Sequence, residues 1–497
     1  MTNSILDEID FTSESIAIKC DDQKISYRQL EQKIMEVRRF LKKINSNSVV
    51  TVLDNCIEWV VIDFACQSAG IPYIPLPHFF TESQINSVLS NTNASTLFLS
   101  KNENKYNEND SLYQVEETNG LLKHVVCLQN DMNTLVEMPR NTSKITFTSG
   151  STGIPKGVCL STRNQIVVAK SLVERVAIEQ ARHLCILPLS TLLENIAGIY
   201  APLLTGGTVI LVSAEKRGLL GSSNLDVKQM LSCISVNQPN SLILVPELLF
   251  VLVNAAENGW SVPTSLKFIA VGGSKVSKEL LVRAAKVRLP VYQGYGLSEC
   301  SSVIALSSLN NNKLGTVGKL LPHVELRIKN NEFIISGNIF LGYLGDEESW
   351  YKSEFNSGDL GEIDEDGYCT VNGRKKNLII SSYGRNISPE WIENHFLQQE
   401  SSSQELFQQC FVFGDAKPFC TALLCLFDTS TPRNEIEYAI EKVNQKLPDY
   451  AQIKNWLLLP FPLSYNKGFM TENNRPRRSF IAQYFKRQID SISENTY

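Results

Sequence analysis

Apolar and polar positions along the first hundred residues predict helix and strand in turn. Leu30, Ile34, Val37 and Leu41 recur at helical spacing behind Ser26, which stands three residues before Gln29 as in a capping box, so a helix is predicted here. A short apolar strand follows at 49–53, an apolar helix around 59–68, a strand at 72–77, a helix near 83–89 and a strand at 96–100. That alternation predicts a largely parallel sheet with both faces covered. Residues 102–119 are polar and rich in Asn and Glu, and read as a surface excursion. Thr162 and Gln165 have the spacing of a second helix start, running through Ala169 and Val173, and the alternation resumes from 184 to about 303.

The character changes near Gly315. The short segments VELRIK, EFIISG and GEIDEDGYCTVNG alternate with turn signals, and DEDG between apolar runs predicts a hairpin. Beyond Gly373 a basic, turn-rich passage leads into a tail of roughly 120 residues, a size that suits a small domain. The stretches QCFVFGD and TALLCLF and a helix over 433–447 predict a compact α+β unit there. The chain as a whole reads as α/β: a large N-terminal domain of parallel αβ sheets over 1–373, with a β-rich subdomain at about 315–373, and a C-terminal α+β domain over 374–497.

Composition narrows the function classes. Of 497 residues, 43% are hydrophobic and 20% charged, and the net charge is -5 with both signs interspersed. Neither nucleic acid nor an anionic membrane is expected as the main partner. The start, MTNSILDEIDF, is acidic and unlike a signal peptide. No apolar run long enough for a transmembrane helix appears; the nearest, at 49–69, is interrupted by Asp54, Glu58 and Asp63. A cytoplasmic location is expected. Twelve cysteines lie scattered without a CxxC pair, and five histidines stand isolated without HExxH. Reduced, buried thiols are therefore expected rather than a metal or disulfide framework. No GxSxG elbow introduces a serine hydrolase.

One segment carries evident chemistry. TSGSTGIPKG, from Thr148 to Gly157, packs three glycines, four hydroxyl residues and Lys156 into ten positions behind an apolar strand. Glycines let backbone N–H groups close on an anion, hydroxyls add donors, and a lysine supplies a point charge for phosphate. The spacing is not GxxxxGK[ST], and Pro155 opposes a helix through the loop, so a flap between strands is predicted. A flexible surface turn is the plainer reading; the density of donors favours phosphate binding.

TSGSTGIPKG resembles the signature loop of the adenylate-forming superfamily, which contains acyl-CoA synthetases, adenylation domains of peptide synthetases, and luciferases. Further motifs resembling that family follow in order over nearly the whole chain: PLSTLLEN from Pro188, AVGGSKVS from Ala270, QGYGLSEC from Gln293, NSGDLGEIDEDG from Asn356, and GRKKNLIISSYGRNISPEWIE from Gly373. Alone, GDLGEIDEDG is a good turn and Arg374-Lys375-Lys376 a solvated basic patch; the ordered set outweighs those readings. The resemblance is closest to long-chain fatty acyl-CoA synthetases. It implies ATP, Mg²⁺, and coenzyme A or a phosphopantetheine thiol as acceptor. Thr148, Ser149, Gly150, Ser151, Thr152, Gly153 and Lys156 would hold phosphates. Gly272, Gly273 and Ser274 would flank adenine, Tyr295 would stack on it with Gly296 beside it in the nucleotide site, and Ser298 would lie near the α-phosphate. Glu299 would hold Mg²⁺, Asp359 the ribose hydroxyls, and Arg374 ribose or phosphate. Lys376 would be the hinge of a mobile C-terminal domain.

Two positions depart from the family pattern. The tail lysine that usually reaches the reacting carboxylate is replaced, in GFMTENNRPRRSFI, by Arg475, which keeps the charge but as a planar fork. Thr191 stands where long-chain enzymes often carry histidine. The implied activity is activation of a carboxylic acid, expected to be a fatty acid, as its adenylate with release of pyrophosphate, then transfer to coenzyme A or an acyl-carrier protein. The alternatives are an adenylating enzyme with a non-thiol acceptor such as an amine, or a non-catalytic nucleotide-binding relative. The acid should lie near 192–197, 271–274 and 294–296, and Gly294 leaves room for a long apolar chain.

Overall fold

The computed structural model describes residues 4–494 apart from 79, 81, 102–113, 117, 119, 121, 123–124, 130–135, 149–155, 221–223, 275, 381–385, 398–399, 402–403, 416, 418 and 472–474. Two large sheets dominate. The first has nine strands and the second eight. In the nine-stranded sheet, Val291–Leu297, Phe268–Val271, Ser241–Leu244, Arg182–Leu184, Thr208–Leu211 and Ile16–Cys20 run parallel as neighbours. In the eight-stranded sheet, Lys144–Thr148, Tyr73–Leu76, Val49–Val52 and Thr96–Ser100 form the parallel centre. The expected covered parallel sheets are thus present, doubled.

Helices Tyr27–Lys43, Ile57–Ala69 and Thr162–Val176 bury their apolar faces together with residues of both sheets in the largest core. Helices Val227–Asn237, Pro246–Glu257 and Lys278–Lys286 cover the other face of the nine-stranded sheet. Ser26 caps the first helix as its spacing predicts: its hydroxyl accepts the Gln29 N–H and the Gln29 side chain accepts the Ser26 N–H. The helix at 162 starts one residue earlier than predicted. Ser161, not Thr162, is the cap, and Asn164 completes the box, leaving Gln165 free to turn inward, where it is wholly buried. Part of the predicted surface excursion is also structured. Gln114–Glu116 adds an edge strand to the eight-stranded sheet by pairing with Val125–Gln129; a three-residue edge strand needs too little apolar sequence to show a pattern.

Asp63 and Lys144 tie the first domain together. The Asp63 carboxylate, 1% exposed, takes the Lys144 ammonium at 3.0 Å on each oxygen, the Tyr200 hydroxyl at 2.7 Å and the Asn195 amide at 2.9 Å. The ammonium also lies near the faces of Trp59, Tyr73 and Tyr200. Burial pulls the lysine's ionisation down while Asp63 opposes it. This network joins the eight-stranded sheet to the π-helical segment Glu194–Tyr200, which runs into helix Ala201–Leu204.

Val324–Lys329, Glu332–Gly337, Glu354–Ile363 and Cys369–Arg374 form a four-stranded antiparallel sheet. Its last hairpin turns at the predicted DEDG, where Asp364 accepts the N–H groups of Asp366 and Tyr368 and Gly367 adopts φ +83°. The tail builds a three-stranded sheet of Phe407–Phe413, Cys420–Leu426 and Ile453–Leu458. Helices Pro389–Leu397 and Arg433–Asn444 cover one face and Arg478–Tyr484 and Lys486–Glu494 the other. All twelve cysteines are free thiols and ten are buried, as expected. No helix among the described residues is long and apolar enough to cross a membrane.

Candidate active site

The sequence motifs meet at the C-terminal ends of the parallel strands of the nine-stranded sheet, where α/β proteins bind ligands. A cavity of about 710 Å³ opens there, lined by Thr148 and Lys156, by Thr191, by Gly272 to Ser274, by Gly294 to Glu299, by Arg374 to Lys376 and by Arg475. Thr148 and Lys156 are paired across an antiparallel hairpin. The intervening Ser149, Gly150, Ser151, Thr152 and Gly153, and the predicted flap, lie outside the described residues.

Val291–Leu297 brings Gly294, Tyr295 and Gly296 to the wall. At Tyr295/Gly296 its register with Ser302–Leu306 shifts, and a Cβ on Gly296 would lie 1.5 Å from the Ser302 carbonyl oxygen. Only glycine fits so close a strand crossing. The chain then turns tightly through Ser298–Cys300, and Ser301 and Ser302 carry φ of 57° and 100°. Serine at φ 100° is strained backbone, held beside Glu299 by the pairing on either side.

Glu299 and Lys156 share one neighbour that the sequence reading did not name. The Tyr343 hydroxyl donates to Glu299 Oε1 at 2.9 Å, and Lys156 Nζ lies 4.8 Å from the Tyr343 ring centre. Burial and then the Glu299 charge push the phenol well up, so it stays a donor. Only a tyrosine in the glycine-flanked stretch LGYLG announces this contact in sequence.

Asp359 lies behind the wall, 3% exposed. Its Oδ2 accepts the Tyr295 hydroxyl at 2.7 Å, and its Oδ1 pairs with Arg374 Nε at 2.7 Å across the strand pair Asp359↔Arg374. Burial, then Asp359, hold the Tyr295 phenol protonated, and its ring packs edge-on against Phe333. The carboxylate expected to meet ribose therefore fixes Tyr295 and Arg374 directly.

Arg475 reaches across from the tail. Its Nε and Nη2 donate to the main-chain carbonyl of Gly273 at 3.1 and 2.5 Å. Gly273 holds φ +91°, which lets that carbonyl face the tail. Burial and then Arg374 lower the Arg475 ionisation; burial, Arg374 and Arg475 do the same at Lys376. Such depression marks crowded cations, and an anion among them would relieve it. Lys375 is turned away to Glu332 at 2.8 Å. Lys156, Arg374, Lys376 and Arg475 thus ring one end of the cavity. The other end is apolar and runs between helix Thr162–Val176 and the strands, past Val173, Val176, Ile243, Phe268 and Leu306. The sequence reading placed the acid pocket at 192–197, 271–274 and 294–296. Those segments contribute to the cavity's wall, but its apolar depth is set by that helix and by strand residues it did not name.

The sequence profile of AMP-binding enzymes matches residues 8–337, and that of the AMP-binding enzyme C-terminal domain matches 376–496. The chain is 30% identical to a 2-succinylbenzoate–CoA ligase of Staphylococcus epidermidis, over 76% of this chain and 78% of that one. It is 25% identical to the long-chain-fatty-acid–CoA ligase FadD15 of Mycobacterium bovis, over 88% of this chain and 86% of that one. Among solved structures, o-succinylbenzoate CoA synthetase from Bacillus subtilis in complex with its acyl-adenylate intermediate superposes with a TM-score of 0.78 at 22% identity, covering 97% of this chain and 98% of that one. These likenesses agree with the adenylate-forming fold.

Proposed function

The chain belongs to the AMP-binding enzyme family, and on that premise we propose that it activates a carboxylic acid with an apolar chain as its adenylate and passes the acyl group to a thiol. The observation that carries this reading is one cavity with two ends: Lys156, Glu299, Arg374, Lys376 and Arg475, from separate stretches of chain, gather at the charged end, and the other end is an apolar tunnel. In the first step a carboxylate oxygen attacks the α-phosphorus of ATP, the bond to the β-phosphate oxygen breaks, and pyrophosphate leaves. In the second a thiol sulfur attacks the acyl carbon, its proton is lost, and AMP leaves.

Lys156, with Thr148 and the glycine loop, would hold the leaving phosphates. Arg475 would sit over the reacting carboxylate and α-phosphate, with Gly273 setting its aim. Tyr295 and Gly296 would meet adenine, and Arg374 the ribose or phosphate. A Mg²⁺ ion fits Glu299, a carboxylate in a wall that also offers the oxygens of Thr148 and Ser298; when bound it would supply charge neutralisation for the phosphates. Catalysis by the chain's own residues is mainly positioning and electrostatics. The tail from 374 would turn about Lys376 between the steps, and coenzyme A or the phosphopantetheine of a carrier protein in the cytoplasm would supply the thiol.

Exchange of labelled pyrophosphate into ATP, dependent on the acid, tests the first step. Exchange is expected with aliphatic acids, and Lys156→Ala should lower it by about two to three orders of magnitude. No exchange across aliphatic, aryl and amino acids would refute the reading. Thiol-dependent release of AMP then distinguishes a thiol acceptor from an amine.

A further inference from the structure

The apolar tunnel does not end on apolar side chains alone. Ser241 neighbours His183 on one side and Phe268 on the other, a row across three parallel strands at their N-terminal ends, and all three line the cavity. His183 and Ser241 are 2% and 8% exposed. His183 Nδ1 lies 2.9 Å from the Ser241 hydroxyl oxygen, and Nε2 lies 2.9 Å from Glu194 Oε1. The second Glu194 oxygen accepts the Leu187 N–H at 3.3 Å.

This cluster is built in. Glu194 begins the π-helical segment, a geometry frequent at functional sites. Gly198, on the same segment, is where a Cβ would lie 2.6 Å from Glu194 Oε1 and 2.8 Å from His183 Nε2, so its missing side chain makes room for the pair. Both imidazole nitrogens are engaged, which leaves neither for a metal although the Cys185 sulfur is close by.

The proton positions follow from the partners. Glu194 Oε2 accepts the Leu187 N–H, and Oε1 is assigned as the acceptor of His183 Nε2–H, the tautomer that leaves Nδ1 bare. In that tautomer Nδ1 accepts the Ser241 hydroxyl proton. The Ser241 oxygen turns only lone pairs to the tunnel. Thr205, also on the wall, donates to the Pro202 carbonyl at 2.9 Å and likewise offers lone pairs. The tunnel floor accepts hydrogen bonds and donates none from these two hydroxyls.

We propose that the Ser241–His183 pair is a specificity-determining subsite for a hydroxyl group carried far along the acyl chain, so that the acid is a hydroxy acid rather than a plain alkanoate. The inference rests on the acyl-activating reading of the site. Val245, beside Gly273 at the charged end, follows strand Ser241–Leu244 in extended backbone and lies four residues from Ser241, about 13 Å at 3.3 Å per residue. An extended chain of 1.52 Å bonds covers that with about ten carbons.

The test compares, in pyrophosphate exchange, straight-chain acids of about eight to fourteen carbons with their terminal hydroxy and methoxy analogues. The hydroxy acid of fitting length should exceed the plain and methoxy acids about tenfold or more in kcat/KM, since a buried acceptor left unpaired penalises both. Ser241→Ala should bring the ratio to about one. Equal rates for hydroxy and methoxy acids in the natural enzyme, or an unchanged ratio in Ser241→Ala, overturn the proposal. The first of these decides even where the variant does not fold. Absence of exchange with every aliphatic, aryl and amino acid refutes the ligase reading; exchange with plain acids without a hydroxyl preference refutes this subsite alone.

Discussion

Replacing Arg475 by alanine should separate the two proposed half-reactions. The side chain makes a fork on one carbonyl, with Nε and Nη2 at 3.1 and 2.5 Å from Gly273. A hydrogen bond with one charged partner contributes about 1.5–3 kcal/mol. Taking the fork as one such interaction at about 2 kcal/mol, its loss shifts the balance between docked and undocked tail about thirtyfold. In the proposed reaction a cation beside the developing phosphate charge is lost too, and removing one such stabilising group costs about 10²–10³ in rate. Pyrophosphate exchange should therefore fall by at least about two orders of magnitude in Arg475→Ala. Attack of the thiol on a supplied acyl-adenylate, which in the proposed mechanism does not need the docked arginine, should change no more than a few-fold. Arg475→Lys restores the charge without the fork and should recover most of the exchange. If Arg475→Ala leaves exchange within about threefold of the natural enzyme, or slows thiol attack as much as exchange, the reasoning is wrong.

Three further outcomes are expected. Asp63→Ala strands the buried Lys144 ammonium and should cost about 3–5 kcal/mol in denaturant unfolding; a loss under about 1 kcal/mol would count against the network's role. Gly296→Ala drives a Cβ into the Ser302 carbonyl, should cost about 1–3 kcal/mol of stability, and should lower exchange at least tenfold by displacing Tyr295 and Glu299; a wild-type unfolding midpoint would contradict it. Burial holds the folded His323 imidazole at about 4, below its ordinary 6.5, and so neutral. The unfolded chain takes up a proton between those values and the folded chain does not, so stability should fall as pH drops from 6.5 towards 4, by up to about 1.4 kcal/mol per pH unit from this group. His323→Gln should flatten the slope of the unfolding midpoint over that range; an unchanged slope would show that other groups carry it.

What could be read from the sequence was local. The Ser26 cap, the DEDG turn and the spacing of apolar residues in Tyr27–Lys43 depend on neighbours within a few positions, and they stand as read. The cap at Ser161 was missed by one residue because Ser161 and Thr162 both offer a hydroxyl. The motif residues at Lys156, Glu299, Arg374 and Arg475 could be named but not their partners. Tyr343 with Glu299 and Asp359 with Tyr295 join positions 44 and 64 apart. Asp63 reads in sequence as a charge that breaks an apolar run; Lys144, 81 residues on, makes it a buried anchor. Such pairs depend on which strands become neighbours, and periodicity does not encode that.

The contact that Arg475 of the tail makes on the large domain ends on a peptide carbonyl. Every residue type at position 273 brings a carbonyl, so no exchange of side chains on the large domain deletes the acceptor, though most would bend it away from φ +91°. The two partners are therefore unequal under mutation. The arginine can be retuned in length, charge or geometry by a codon change, while its counterpart is part of the main chain. Variation in the strength of this one contact is thus concentrated at position 475, on the small domain, whereas the bond that the Gln84 amide donates to the Tyr465 hydroxyl at 2.9 Å can be changed from either side.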